Sequence, residues 1–302
     1  MQQILASLSE ESSKIIGEPI FLTIGDSGIS PDVSCNFPLS DQNGKKYFCK
    51  CITEKSILIA EFEGLKEIAS THTIFVPKPI CIIQHINHSY GLFQYLDFTK
   101  TTNTTEFELG AQIAKMHQNL SNSGLYGYEH DNFIGLTPQF NGWYKDWSDF
   151  FIERRLKPQF EFAKFNHIHS NSIDIDSFLD IVKELLKNHK PPPSLLHGDL
   201  WSGNKDILSD GTPAIFDPAV YYGDRETDIA MTHLFNIDIY LVVLLKNKDF
   251  EDREDIYLLY HVLNHANMFG SPYNHDAISI IRRIIKHSGK TSPSSTSKST
   301  DL

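Results

Sequence analysis

Hydrophobic and polar positions divide the chain into a strand-rich first third and a helical remainder. In the first third, apolar runs at 33–39 and 46–52 are separated by the segment Asp41–Gly44, which contains an Asn-Gly pair. An Asn-Gly pair between apolar runs is a strong signal for a hairpin. The other predicted strands are residues 21–24, 80–84 and 91–96, the last two joined by a turn at Asn87–Gly91. We therefore predict four or five antiparallel strands.

Helical periodicity occurs once inside this strand-rich part and dominates after residue 103. Residues 56–69 carry apolar side chains on one side, namely Ile57, Leu58, Leu65, Ile68 and Ala69. Thr104 or Thr105 is suited to cap the helix that follows. Further helices are predicted at 143–166, 176–188, 225–246, 253–269 and 275–287, and short strands at 194–197, 206–208 and 213–217.

These elements predict an α+β protein with two lobes. A small β-rich lobe with one helix covers residues 1–96, and a larger, mostly helical lobe covers residues 97–287, with the boundary near residues 95–103. The stretch 288–302 is rich in Ser and Thr and has no apolar periodicity. We expect this tail to be disordered.

Charge and composition exclude several classes of protein. The 302 residues include 38 acidic and 27 basic side chains, for a net charge of −11. Binding to nucleic acid depends mainly on Lys and Arg, so we expect no nucleic-acid partner.

The longest aliphatic run, residues 239–245, is far shorter than the roughly 20 residues of a membrane-spanning helix, and residues 1–16 do not resemble a signal peptide. The four cysteines form no C-x-x-C pair. We expect a cytoplasmic protein with reduced thiols and no membrane partner.

The chemistry concentrates in the segment Leu195–Asn204. Asp199 is followed five positions later by Asn204, and Asp217 comes thirteen residues after Asn204. This is the spacing of a kinase catalytic loop and its metal-binding aspartate. A carboxylate can accept the proton of an attacking hydroxyl, and Mg²⁺ prefers hard oxygen ligands. We predict Asp199 as the catalytic base, with Asn204 and Asp217 as Mg²⁺ ligands. His-Gly-Asp alone would equally well be a turn that ends a strand.

The first lobe offers the residues that a kinase needs for nucleotide phosphates. Lys50 alternates with Cys49 and Cys51 in a predicted strand, so it points to the opposite face. Glu61, eleven residues on, is the predicted ion-pair partner, and Glu63 is its rival. Gly25 and Gly28 lie in a candidate phosphate-binding loop that lacks a full G-x-G-x-x-G motif.

Two other patterns are interpreted as coincidences. The segment Ser288–Thr291 imitates the end of a Walker A loop, but the required upstream glycine is replaced by Ile284. The pairs His85/His88 and His167/His169 have loosely plausible metal-ligand spacings, but they have no supporting carboxylate set.

Three segments together resemble the fructosamine kinase (ketosamine-3-kinase) family. They are LLHGDLWSGN at 195–204, AIFDPAVYYGDRETDIAM at 214–231 and VPKPI at 76–80. The resemblance extends from about residue 15 to residue 287. That family lies within the aminoglycoside-phosphotransferase and choline-kinase-like superfamily, so the resemblance implies a bilobal protein-kinase-like fold.

The resemblance also implies a reaction, namely ATP-dependent phosphorylation of the 3′-hydroxyl of a ketosamine. The substrate would be a fructosamine or ribulosamine, free or on a protein lysine, the cofactors would be ATP and Mg²⁺, and the role would be repair of glycated amines. The implied cofactor-binding residues are Lys50, Glu61, Gly25 and Gly28, with Gln94 and Leu96 in the interlobe hinge that meets adenine. The implied substrate-binding residues are Trp201, Asn264, His265 and Asn267. The cluster Asp224, Arg225, Glu226 and Asp228 is expected to brace the catalytic loop.

This chain departs from the family pattern in the phosphate loop, and two rival functions stay open. Asp26 and Ser27 stand where the family has glycines, and Gly28 stands where it has a cysteine. The first rival is a related kinase for a different alcohol, such as an aminoglycoside or choline. The second is a non-catalytic nucleotide-binding scaffold, which the presence of Asp199, Asn204, Asp217 and Lys50 disfavours.

Overall fold

The first lobe is built on an antiparallel sheet of five strands. The computed structural model describes residues 1–24, 36–165, 174–234 and 249–291. The strands are β1 (Thr23–Ile24), β2 (Asn36–Ser40), β3 (Lys46–Ile52), β4 (Pro79–His85) and β5 (His88–Gln94). Their spatial order is β1-β2-β3-β5-β4, and every pair is antiparallel. The predicted sheet is therefore confirmed. The turn before β5 lies at Ile86–Asn87, so the predicted turn at Asn87–Gly91 was placed too late.

Two helices cover the two faces of this sheet. Helix α1 (Gln2–Ile16) was not predicted, because its buried positions Ile4, Leu8 and Ser12 form only a narrow stripe. It packs with Tyr47 and Cys49 in a small hydrophobic core. Helix α2 (Lys55–Ser70), which was predicted, covers the opposite face. Its apolar side chains belong to the large core that continues through the second lobe.

The second lobe is mostly helical, as predicted. Its helices are α3 (Asn103–Met116), α4 (Trp147–Phe151), α5 (Lys157–Phe165), α6 (Ile175–Leu186), α7 (Glu226–Leu234), α8 (Glu254–Phe269) and α9 (Ser271–Thr291). Its strands are β6 (Phe98–Thr99), β7 (Asn132–Ile134), β8 (Thr137–Gln139), β9 (Ser194–Leu196), β10 (Lys205–Leu208), β11 (Pro213–Ile215) and β12 (Tyr221–Gly223). Among the described residues, no helix has both the length and the apolar character needed to cross a bilayer.

Several predicted boundaries are corrected. The cap of α3 is Thr102, whose hydroxyl accepts from the backbone N–H of Thr105 and leaves no capping role for Thr104. The helix predicted from residue 143 begins at Trp147, because Tyr144 pairs with Tyr126 in a β-bridge. It is also interrupted by a π-helical turn at Ile152–Leu156.

Parts of two C-terminal predictions fall outside the described residues. Residues 288–291, assigned to the tail by sequence, continue helix α9, and residues 292–302 lie outside the described ranges. The helix predicted at 225–246 is observed to Leu234, and residues 235–248 also lie outside them.

Candidate active site

Short strands on both sides hold the segment that carries the predicted catalytic residues. Strand β9 ends one residue before His197, and β10 starts one residue after Asn204. Strand β9 pairs with β12, whereas β10 pairs with β11 and β6. The loop between β9 and β10 is therefore held at both ends by hydrogen-bonded strands. Because β6 directly follows the hinge, this arrangement also connects the loop to the first lobe.

Lys50 joins the two lobes through two carboxylates. Its Nζ lies 2.6 Å from Glu61 Oε1 and 2.5 Å from Asp217 Oδ1. Burial alone would lower the pKa of Lys50, but the two carboxylates outweigh it and the pKa is raised. Burial raises the pKa of Glu61 to about 7, against the opposing effect of Lys50. Glu63 is exposed, so the structure selects Glu61 over its rival.

Asp199 is held by the asparagine five residues after it. The Asn204 Nδ2 group donates to the backbone oxygen of Asp199 at 2.9 Å and to its Oδ2 at 3.0 Å. Burial raises the pKa of Asp199 to about 7, the bond from Asn204 opposes this, and the charge of Asp217 adds to it. A raised pKa makes this carboxylate a better proton acceptor.

Backbone bonds bring Asp217 beside the same loop. The N–H of Phe216 donates to the oxygen of Asn204 at 3.0 Å, and the ring of His197 lies 3.0 Å from the oxygen of Phe216. Asp217 has a left-handed backbone, with φ of 57°. Aspartate and asparagine tolerate this conformation better than most residues. The structure thus places Asp217 between Lys50 and the loop that carries Asp199.

Asp228, predicted as a brace, bonds directly to the backbone of the loop. Its Oδ2 accepts from the N–H of His197 at 2.8 Å, and its Oδ1 accepts from the N–H of Gly198 at 2.8 Å. His117 Nε2 lies 2.9 Å from Oδ2, and the carboxylate is completely buried. Burial would raise the pKa of Asp228, but His117, His197 and the Gly198 N–H outweigh it and lower the pKa.

Replacing Asp228 with asparagine is expected to destabilise the fold by about 2–4 kcal/mol, because the new amide group faces backbone donors and leaves one of them without an acceptor. Urea unfolding followed by tryptophan fluorescence measures the change. Asp180→Asn, an exposed substitution on α6, serves as the control. A loss below 1 kcal/mol for Asp228→Asn would contradict the bracing role.

The rest of the predicted brace forms a separate network. Glu226 receives two bonds from Arg253, from Nε at 2.8 Å and from Nη2 at 2.9 Å. Asp224 accepts from Tyr257 Oη at 2.7 Å and lies 2.6 Å from His189 Nε2. These carboxylates therefore hold the start of α7 to the start of α8.

Trp201 lies across its own loop, with its ring over Gly203. A Cβ atom added to Gly203 would lie 2.4 Å from two ring carbons of Trp201, which is closer than van der Waals contact permits. Gly203 is part of a 3₁₀ turn, and its φ is not positive. Glycine is therefore required here by the indole ring and not by the backbone conformation.

The predicted substrate residues on α8 are mostly buried. Asn264 is 1% exposed and accepts from Gln159 Nε2 at 3.3 Å, and His265 is 7% exposed with Nδ1 2.9 Å from the oxygen of His261. Asn267 is half-buried and donates to Gln159 Oε1 at 2.7 Å. The structure therefore keeps Asn264 and His265 in the packing between helices. Gln159 was missed, because a glutamine buried between helices has no local sequence signal.

The hinge and the phosphate loop complete the predicted set. The N–H of Gln94 donates to the oxygen of Lys78 at 2.9 Å, and Leu96 is half-buried. Beside the hinge, the rings of Phe98 and Phe216 lie 5.7 Å apart, a contact that sequence reasoning missed. Gly25 and Gly28, with Cys35, lie outside the described residues.

Solved structures with this fold include two kinases. A crystal structure assigned as a fructosamine-3-kinase from Haemophilus somnus superimposes with a TM-score of 0.82 and 27% identity, over 92% of this chain and 96% of that chain. A thermostable mutant of an aminoglycoside phosphotransferase, in a ternary complex with ADP and hygromycin B, superimposes with a TM-score of 0.61 over 95% of this chain and 99% of that chain. Its identity of 14% shows the fold alone. The predicted kinase-like fold is thus confirmed.

Sequence relatives agree with these structures. A Vibrio parahaemolyticus protein named as a probable ketoamine kinase is 40% identical over 267 residues, which are 85% of this chain and 90% of that protein. The chloroplastic protein-ribulosamine 3-kinase of Arabidopsis thaliana is 38% identical over 240 residues, which are 76% of this chain and 73% of that protein. The sequence profile described as "Fructosamine kinase" matches residues 6–287.

Fold and relatives together define the class of this protein, an ATP-dependent phosphotransferase with a kinase-like fold. Within that class, the chain belongs to the fructosamine kinase family.

Proposed function

We propose that this protein transfers the γ-phosphoryl group of ATP to the 3′-hydroxyl of a ketosamine, such as a fructosamine or ribulosamine. The observation that carries the proposal is the gathering of Lys50, Glu61 and Asp217 beside the Asp199–Asn204 pair. The choice of a ketosamine is supported by the names of the relatives, probable ketoamine kinase and protein-ribulosamine 3-kinase. The substrate is free or attached to a protein lysine.

The donor atoms around Asp217 fit Mg²⁺. Asn204 directs its amide nitrogen to Asp199, which leaves its carbonyl oxygen for a metal, and the side chain of Asp217 is 46% exposed. An amide oxygen and a carboxylate are hard ligands of the kind Mg²⁺ prefers. When bound, Mg²⁺ would offset the negative charge of the nucleotide phosphates.

The protein's own groups would then position and activate the reactants. Lys50, held by Glu61, places a positive charge for the phosphates. Asp199 accepts the proton of the sugar hydroxyl as its oxygen attacks the γ-phosphorus, and the β–γ bond breaks with ADP as the leaving group. Direct transfer requires positioning and charge neutralisation and no phospho-enzyme.

We further propose that the reaction repairs glycated amines in the cytoplasm. A phosphate at O3′ would destabilise the linkage between sugar and amine and favour release of the sugar.

A turnover screen tests the proposed acceptor. ATP and Mg²⁺ are supplied with ribulosyl-lysine, fructosyl-lysine, choline or kanamycin, and ADP formation is measured. The expected result is turnover of at least one ketosamine with kcat/KM above that for choline and kanamycin. Preferential turnover of choline or kanamycin would instead favour the related-alcohol alternative.

Trp201 is the proposed contact with the sugar–amine, because a flat aromatic face suits the apolar faces of a sugar. Trp201→Ala should lower kcat/KM for the ketosamine about 10-fold, which corresponds to roughly 1.4 kcal/mol of lost aromatic contact. Slow background ATP hydrolysis should be spared. Equal loss of both activities would indicate that Trp201 only packs beneath the loop.

Gly203→Ala should reproduce much of the Trp201→Ala defect, since the added methyl group displaces the indole ring. The effect should vanish when Gly203→Ala is introduced into Trp201→Ala, because no ring is left to displace. Gly289→Ala, where a Cβ meets nothing within 4 Å, is the control. A Gly203→Ala defect that persists without the ring would contradict this coupling.

A further inference from the structure

Helix α2 carries Glu61, and its hydrophobic face belongs to the core of the second lobe. Leu58, Phe62, Leu65 and Ile68 lie in the same buried cluster as Trp147 and Leu196, and Phe93 of β5 also belongs to it. The other face of the sheet packs with α1 in a separate core. Lys50 projects from the sheet. The Lys50–Glu61 ion pair therefore joins a strand of the first lobe to a helix that packs on both the sheet and the second lobe.

The backbone of α2 comes very close to the segment that follows Asp217. A Cβ atom added to Gly64 would lie 3.2 Å from Pro218 Cγ and 3.4 Å from the two γ-carbons of Val220. Gly64 is one helical turn after Glu61, so this contact lies on the same side of the helix as the Glu61 carboxylate and close to it along the axis. The close approach leaves little room for α2 to shift toward the second lobe.

A polar contact holds α2 one turn further along. Tyr222 Oη donates to Glu67 Oε1 at 2.7 Å. Tyr222 belongs to β12, which pairs with β9, the strand that leads into the catalytic loop. The ring of Tyr222 also lies 6.2 Å from the ring of Trp143. The hydroxyl is thus presented to the helix by a side chain that is itself held in place.

We propose that Tyr222 and Glu67 are positioning residues that keep Glu61 within reach of Lys50. The contacts form a closed path: Asp217 to Lys50, Lys50 to Glu61, along α2 to Glu67, and through Tyr222 back to the strand following Asp217. Loss of the Tyr222 hydroxyl frees the end of α2, lets Glu61 move from Lys50, and weakens the hold of Lys50 on the nucleotide phosphates. The inference rests on the proposed nucleotide role of Lys50, and it holds for any acceptor.

The test measures MgATP affinity by calorimetry and the KM values for ATP and for the acceptor. Tyr222→Phe and Glu67→Ala should each raise the dissociation constant and the KM for ATP about 5-fold, with the acceptor KM unchanged. Glu67→Gln retains an acceptor oxygen for the tyrosine hydroxyl and should stay within 2-fold of the wild type. Glu63→Ala removes the same charge from an exposed position of α2 and should have no effect.

A background that lacks the ion pair separates positioning from general destabilisation. In Glu61→Gln, the Tyr222→Phe substitution should add no further loss of ATP affinity, because the carboxylate that it positions is absent. A 5-fold loss that persists in this background overturns the proposal, as does a Tyr222→Phe protein that binds ATP within 2-fold of the wild type. Calorimetric affinity needs no acceptor, so absence of ketosamine turnover would count against the proposed function and leave this test intact.

Discussion

Asp199→Asn is expected to lower kcat by about 10²- to 10⁴-fold while MgATP affinity stays within 3-fold of the wild type. The amide cannot accept the proton of the sugar hydroxyl, so the attack on phosphorus loses its general base. An asparagine still offers an oxygen to Asn204 Nδ2, the bond that Asp199 Oδ2 receives at 3.0 Å. The loop geometry should therefore persist, and the loss should fall on the chemical step.

The measurement is steady-state turnover of ribulosyl-lysine at saturating ATP, with nucleotide affinity determined separately by calorimetry. Asp210→Asn removes an exposed carboxylate from the turn between β10 and β11 and should leave both quantities unchanged. An Asp199→Asn protein that retains more than a third of the wild-type kcat would reject the proton-accepting role.

Asp217→Asn is expected to lower kcat by roughly 10³-fold and to raise the Mg²⁺ concentration needed for half-maximal rate. The substitution removes the proposed carboxylate ligand of the metal and one of the two anionic partners of Lys50. Asparagine is the appropriate replacement because it tolerates the left-handed backbone at this position, where φ is 57°. Alanine would add backbone strain to the loss of the ligand.

The test is a Mg²⁺ titration of turnover for the variant and the wild type. Asp249→Asn is a matched control, since Asp249 also has a left-handed backbone, with φ of 68°, and is exposed. If Asp217→Asn showed an unchanged Mg²⁺ requirement and near-normal kcat, the metal role of Asp217 would be wrong. A similar defect in Asp249→Asn would indicate that the backbone is responsible.

Sequence patterns located best the residues that interact with neighbours only a few positions away in the chain. The loop from His197 to Asn204 is short and lies between two strands, so the spacing of Asp199 and Asn204 is enough to place them side by side. Strand alternation correctly predicted the face of the sheet from which Lys50 projects. Tyr47 and Cys49 pack toward α1, and Lys50 points the other way. Such relations depend on bond geometry over a few residues.

Sequence patterns did not decide the contacts or burial of residues whose surroundings depend on how whole helices pack. Helical period alone left Glu61 and Glu63 as rivals, because the rotation of α2 about its axis is set by its contacts, including Gly64 on Pro218. Asn264 and His265 were predicted as substrate contacts. The packing of α5 on α8 buries Asn264, and His265 is buried beside the ring of Tyr273 on α9. Helix α1 escaped detection because its buried stripe is narrow.

The sequence alone therefore determined the lobed α+β architecture and the spacing within the proposed catalytic loop. Hydrophobic periodicity and short spacings act over distances that the covalent chain controls. Tertiary structure alone decided which glutamate reaches Lys50 and which polar residues of α8 are buried. It also decided that Asp228 bonds to the backbone of the loop and that Tyr222 bonds to α2. Those choices depend on the rotation and close approach of elements far apart in sequence, which are set by the free energy of packing the whole core.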